Sequence, residues 1–196
     1  MSGEAIAAEK AALRKLMRAR RAALPPETRA AASVQACERV LASFPELKQA
    51  PDATIAGYWP IRDELDPRPL LQALAGDGYR LALPMSVARD EPLVFRAWKP
   101  GDPLVPDIMR IEAPLPTAPE VVPWLLLVPM LAFDRKCCRL GYGAGFYDRT
   151  LAALGAGGAT VTVGLAFSVQ EVERVPVTED DAPLDAIVTE SRLIIG

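Results

Sequence analysis

The sequence predicts an α/β protein with a mostly parallel sheet, and three stretches carry that expectation. A short apolar strand at 54–59, a helix at 70–75 and a strand at 79–83 make one βαβ unit, whose crossover implies parallel neighbours. An apolar run at 124–133 reads as a buried strand and leads into a loop holding Gly141, Gly143 and Gly145, followed by a helix start. The segments bearing Glu64, 139–148 and 170–181 all follow predicted strands. Open α/β sheets bind ligands at the carboxyl ends of strands, so residues far apart in sequence are expected to converge on one cleft.

Taken in order, residues 4–23 are rich in Ala, Leu, Arg and Lys and stop at Pro25 and Pro26, which predicts one amphipathic helix. Lys10, Arg14, Arg18 and Arg21 fall at helical spacing on one of its faces; alone, such a row is a solvated basic face. Pro26 stands near the first turn of a second helix, 27–43. After the βαβ unit, nine prolines between 84 and 123 predict hairpins and loops, with 93–98 an edge strand. A short helix at 149–154 and strands at 160–167 and 186–189 follow. No repeat or linker interrupts the chain, and residues 1–196 read as a single domain.

Composition narrows the chemistry. The chain is 51% hydrophobic and 24% charged, ordinary for a soluble globular protein. A net charge of −3 draws it to neither nucleic acid nor an anionic membrane. No apolar stretch reaches membrane-spanning length, and Glu4 and Glu9 argue against an arginine-rich transit peptide, so the expected location is the cytoplasm. Cys37, Cys137 and Cys138 form no C-x-x-C pair and read as reduced bystander thiols. There is no histidine, which removes Ser-His-Asp and Cys-His nucleophiles and every His-bearing metal site. Carboxylates, Arg and Lys, backbone donors and a hard cation such as Mg²⁺ remain, a set suited to phosphoryl transfer.

The glycine-rich loop fits that set. Arg139 stands at its front, and Tyr147, Asp148 and Arg149 close it. A strand, a glycine loop and a helix start expose backbone N–H groups to an anion, and an acid just after can hold a metal that neutralises phosphate charge. The loop is neither a Walker motif nor a dinucleotide fingerprint, since Phe146 stands where a third glycine would be needed. A tight turn without a ligand is the simpler reading; the flanking Arg139, Asp148 and Arg149 weigh against it.

The run F-D-x-x-x-x-R-L-G-Y-G-x-G-F-Y-D-R at 133–149 resembles the signature of the 5-formyltetrahydrofolate cyclo-ligase family. Three further stretches agree in order: K-A-A-L-R at 10–14, Y-W-P-I-R-D-E-L-D at 58–66, and V-G-L-A-F-S-V-Q with the later V-P-V-T-E-D-D-A-P-L-D-A-I-V-T-E. The resemblance implies a three-layer α/β/α fold like that of ribose-phosphate isomerase and CoA transferases. It also implies an ATP- and Mg²⁺-dependent closure of 5-formyltetrahydrofolate to 5,10-methenyltetrahydrofolate, through a phosphorylated formyl oxygen. The expected form is a monomer with small-molecule partners.

By the same resemblance Lys10 and Arg14 contact the nucleotide phosphates. Arg139, Leu140, Gly141, Tyr142, Gly143, Ala144, Gly145, Phe146 and Tyr147 form the ATP cradle, with Tyr142, Gly143, Ala144, Gly145 and Phe146 also facing the folate. Arg139, Tyr147 and Asp148 are the implied catalytic groups, Asp148 and Asp181 the implied metal ligands. Trp59 and Glu64 are implied to contact the folate, a carboxylate suiting the paired donors of an aminopyrimidine edge. Arg18, Arg21 and Arg149 stay open between site and surface. Cys137 stands where the family usually has glycine, which predicts a different approach to the loop. Ala144 replaces a middle glycine, Phe146 a frequent tyrosine and Asp180 a frequent histidine. The alternatives are a non-catalytic folate- or nucleotide-binding relative, and a sugar-phosphate isomerase or acyltransferase on the same fold.

Overall fold

Alternation along the strands decides how the layers stack. In the computed structural model, which describes residues 3–44, 52–155, 160–179 and 181–196, a seven-stranded sheet runs in the order β11-β10-β9-β6-β1-β2-β3. Its strands are β1 (Thr54–Ala56), β2 (Arg80–Met85), β3 (Val94–Ala97), β6 (Leu125–Pro129), β9 (Val161–Leu165), β10 (Ala186–Val188) and β11 (Leu193–Ile195). The five inner strands pair in parallel, while β3 and β11 close the edges antiparallel. Leu125 and Leu127 of β6 join one core cluster and Leu126 and Val128 the other, the period of two that a doubly covered strand requires. Helices α2 (Pro26–Ser43) and α3 (Arg68–Gly76) fill the first cluster with Ala36, Val40, Leu71 and Leu74. Helix α4 (Phe146–Gly155) places Leu151 in the second. The result is the expected α/β/α stack.

Helix α1 (Gly3–Ala22) lies apart from both layers and packs Met17 against Leu131, Ala132, Leu140 and Val175, beyond the end of β6. Its basic row is thereby held over the carboxyl ends of the strands rather than in open solvent. Among the described residues no helix is long and apolar enough to cross a membrane.

Two expectations about strands need correction. The apolar run at 124–133 is not one strand: β6 ends at Pro129, and Ala132–Phe133 (β7) pairs instead with Arg139–Leu140 (β8) in a separate two-stranded ribbon. The break is held by polar side chains, since the Met130 carbonyl accepts hydrogen bonds from Gln170 Nε2 at 2.7 Å and Arg21 at 3.3 Å. Nor is β10 the last strand, because Leu193–Ile195 turns back along it as β11. Within the proline-rich region, Leu104–Pro106 (β4) and Glu112–Pro114 (β5) form a hairpin separate from the main sheet.

Gly57 lies just after β1, where an added Cβ would sit 2.6 Å and 2.8 Å from the two methyls of the fully buried Leu71 and 3.2 Å from its Cγ. We expect Gly57→Ala to lose about 1–3 kcal/mol by overpacking. Urea unfolding checks this, and an unchanged midpoint would mean that α3 moves aside at no cost.

Candidate active site

The carboxyl ends of β1 and β6, helix α1, the glycine loop and the β4–β5 hairpin enclose a cavity of about 610 Å³, within the range of small-molecule sites. Every residue to which the resemblance assigns a role lines it: Lys10 and Arg14 from α1, Trp59 and Glu64 after β1, the run 139–148, and Asp181. Arg18 lines it as well, whereas Arg21 and Arg149 do not.

The loop is shaped by its turns. Gly143 and Gly145 have φ of 103° and 72°, where a side chain is strained. Space is short too: a Cβ on Gly143 would lie 3.3 Å from Arg14 Cζ, and one on Gly145 2.6 Å from an Arg149 nitrogen. Arg14 Nε donates to the Gly141 carbonyl at 3.0 Å, fixing the guanidinium over the loop. Among the described residues the N–H groups of Gly143, Ala144 and Gly145 donate to no protein acceptor. The three residues line the cavity beside the start of α4, where the helix dipole favours negative charge.

Arg139 is buried and spans two partners, donating to Asp148 Oδ1 at 2.5 Å and to the Ala182 carbonyl at 2.6 Å. Burial lowers its guanidinium pKa from the usual value; Asp148, then Asp181 and Tyr147, work to keep the charge. Lys10 Nζ pairs with Asp181 Oδ2, which also accepts from the Thr178 N–H at 2.6 Å and hydroxyl at 2.9 Å. Burial raises the Asp181 carboxyl, but Lys10 and Thr178 outweigh it and hold the pKa below the ordinary range. Asp148 Oδ2 and Asp181 Oδ1 make no hydrogen bond among the described residues. Among the described residues no three Asp, Glu or Cys side chains gather into a cage there. One or two carboxylates beside a phosphate cradle is the donor set that suits Mg²⁺, which keeps waters and phosphate oxygens as its other ligands.

At the other end, Glu64 is buried, and its Oε2 accepts from the Ile61 N–H at 2.8 Å. Burial raises its pKa, with Tyr142, Ile61 and Arg21 pulling the other way. The Tyr142 hydroxyl is buried without a hydrogen bond of regular geometry, and its ring lies under Arg18 and Arg21 at 5.9 Å and 5.6 Å. Trp59 meets Trp98 edge-on at 6.2 Å and has Arg68 over its ring at 5.2 Å. Arg21, open from sequence, is a buried strut bonded to Asp63 at 2.8 Å and to the Met130 carbonyl.

Parts of the motifs serve the turns rather than the cavity. Asp134 accepts from the N–H groups of Lys136, Cys138 and Val175, tying the β7–β8 turn to the late loop. Cys137 takes φ of 57°, the left-handed conformation that glycine adopts without strain; the side chain costs about 1–2 kcal/mol there. Burial, then Asp134, pushes its thiol up to about 11, so it stays protonated near neutral pH. Asp180 lies outside the described residues. The sequence reading missed the hairpin tip, where Asp107, Met109, Arg110 and Ile111 line the cavity. Its proline-rich sequence marks a hairpin but gives no sign of which way it folds.

The carboxyl ends of a parallel sheet, with a glycine loop, basic side chains and carboxylates around one cavity, define an α/β class of small-molecule enzyme site. The family model of the 5-formyltetrahydrofolate cyclo-ligase family matches residues 6–190, and the chain belongs to that family of enzymes. It is 36% identical over 183 residues to the 5-formyltetrahydrofolate cyclo-ligase of Escherichia coli K12, covering 91% of this chain and 98% of that one. The corresponding protein of Mycolicibacterium smegmatis is 32% identical over 152 residues, 73% and 76% of the two chains. The solution structure of Aquifex aeolicus 5,10-methenyltetrahydrofolate synthetase superposes with a TM-score of 0.79 at 31% identity, over 95% of this chain and 92% of the other.

Proposed function

We propose that this chain converts 5-formyltetrahydrofolate to 5,10-methenyltetrahydrofolate with ATP and Mg²⁺, acting as a single-domain monomer. Family membership supports the reaction. The observation that carries the ATP dependence is the free N–H run at Gly143, Ala144 and Gly145, lying in the same cavity as Arg14 and two carboxylates.

The formyl group is amide-like, and its carbon resists attack until the oxygen becomes a leaving group. The formyl oxygen attacks the γ-phosphorus of ATP, the bridging P–O bond breaks, and ADP leaves. The second folate nitrogen then attacks the formyl carbon and loses its proton, and the C–O bond breaks to release phosphate. Neither step needs a protein nucleophile, in keeping with a cavity lined by no histidine or cysteine.

The chain's part is to position and to balance charge. The loop N–H groups and Arg14 receive the phosphates, and Lys10 adds charge once released from Asp181. Asp148 and Asp181 would hold the metal, with Arg139 fixing the rotamer of Asp148 and the start of the 182 segment. Bound there, Mg²⁺ would offset charge on the phosphate oxygens. Glu64 receives the aminopyrimidine edge of the pterin while Trp59 walls the ring.

Purified protein with ATP, Mg²⁺ and 5-formyltetrahydrofolate should develop the near-ultraviolet band of the methenyl product with equal release of ADP. Folded protein that binds folate and ATP without forming the band would instead identify a non-catalytic relative.

A further inference from the structure

Arg149 bridges the glycine loop and the β2–β3 connection. Its guanidinium donates to the Ala144 carbonyl of the glycine loop at 3.0 Å. It also donates to the carbonyls of Arg89 and Glu91, in the β2–β3 connection, at 2.7 Å and 3.3 Å. The same group lies 5.2 Å from the Phe146 ring centroid. It occupies the space a Cβ on Gly145 would need. Arg149 itself does not line the cavity, yet Ala144, Gly145 and Phe146 all do.

We infer that Arg149 is a positioning residue for the loop's backbone donors. A trans peptide is planar, so its carbonyl and the next N–H point in opposite directions. Holding the Ala144 carbonyl on the guanidinium therefore turns the Gly145 N–H away from Arg149. That peptide joins Ala144 to Gly145, a glycine of positive φ, and glycine leaves the backbone there free to flip. The clamp removes that freedom before a ligand arrives, which is how preorganised donors gain affinity. Arginine suits the task because one rigid fork can serve carbonyls from two segments, as a lysine ammonium on a flexible stem cannot. Thr150 ties the same segments independently, donating to the Phe146 carbonyl at 2.7 Å and accepting from the Leu93 N–H at 2.9 Å, so α4 stays docked without Arg149.

The inference rests on the reading of the loop as the ATP cradle, and two measurements keep the two apart. By calorimetry with Mg-ATP, Arg149→Ala should bind roughly ten-fold more weakly than wild type, the loss expected of a charged hydrogen-bond set. In turnover, KM for ATP should rise while KM for the folate and the melting temperature stay close to wild type. Arg149→Lys should recover only a minor part of the loss. Gly145→Ala should weaken ATP binding in the wild type, and should add less than its full effect in the Arg149→Ala background, where the steric conflict is gone. Unchanged ATP affinity in Arg149→Ala, or strict additivity with Gly145→Ala, overturns the clamp. Amide relaxation by NMR without nucleotide tests it separately: Gly145 and Phe146 should show lower order parameters in Arg149→Ala than in wild type. That difference, together with a wild-type protein that binds no ATP, overturns the cradle reading and leaves the clamp standing.

Discussion

Replacing Asp148 with alanine should abolish turnover, by at least about a hundred-fold in kcat/KM, because metal-assisted charge stabilisation of a transferring phosphoryl group cannot be supplied by water at the same place. Two losses coincide in this variant. The carboxylate proposed to hold the metal disappears, and the buried Arg139 keeps only the Ala182 carbonyl. Asp148→Asn separates them, since an amide oxygen can still accept from Arg139 while giving the metal no negative charge. We expect Asn to restore the melting temperature but not the activity. Turnover of either variant within a few-fold of wild type would remove Asp148 from the metal site. Equal loss of stability and activity in Ala, with both recovered in Asn, would make it a purely structural partner of Arg139.

The second large effect is expected at Glu64. Glu64→Gln should raise KM for the folate roughly ten-fold or more, with far less change in KM for ATP, because an amide cannot accept two hydrogen bonds from an aminopyrimidine edge as a carboxylate does. The charge has a pH signature. Burial lifts the Glu64 pKa above that of an ordinary carboxylate, and the form proposed to bind the pterin is the ionised one. The folate kcat/KM should therefore fall as pH drops through that raised value, starting at higher pH than a solvated glutamate would give. The limb should vanish in Glu64→Gln. Stability carries the opposite sign. The folded state binds this proton more readily than the unfolded chain, so ionised Glu64 works against folding at pH values above its folded pKa. Glu64→Gln should melt no lower than wild type at pH 8. An acid limb that persists in the variant, or unchanged folate kinetics, would place the pterin elsewhere.

Much of this site was legible because its chemistry is local. The loop from Arg139 to Asp148 needs glycine at positive φ, a cation in front and an acid behind, and all of these are contiguous letters. The row Lys10, Arg14, Arg18 and Arg21 was equally visible, but its meaning was not. Four cations on one helix face look the same whether they meet solvent or a ligand. Only the docking of α1 through Met17 divides them: Lys10 on Asp181, Arg14 on the loop, Arg18 at the cavity and Arg21 buried as a strut. The break after Pro129 was hidden for a related reason. Apolar residues continue through it, and what ends the strand is a pair of hydrogen bonds from Gln170 and Arg21, both distant in the chain.

By itself, then, the sequence determined the α/β class, the parallel core and a glycine loop flanked by Arg139 and Asp148 as the candidate site. Those properties follow from hydrophobic period and glycine placement, which are written residue by residue. The tertiary structure alone decided which cation meets which carboxylate, that Arg149 grips backbone from two segments, and that the β4–β5 hairpin closes the cavity. Such pairings depend on how separate elements pack, and packing joins residues whose sequence separation carries no signal of their contact.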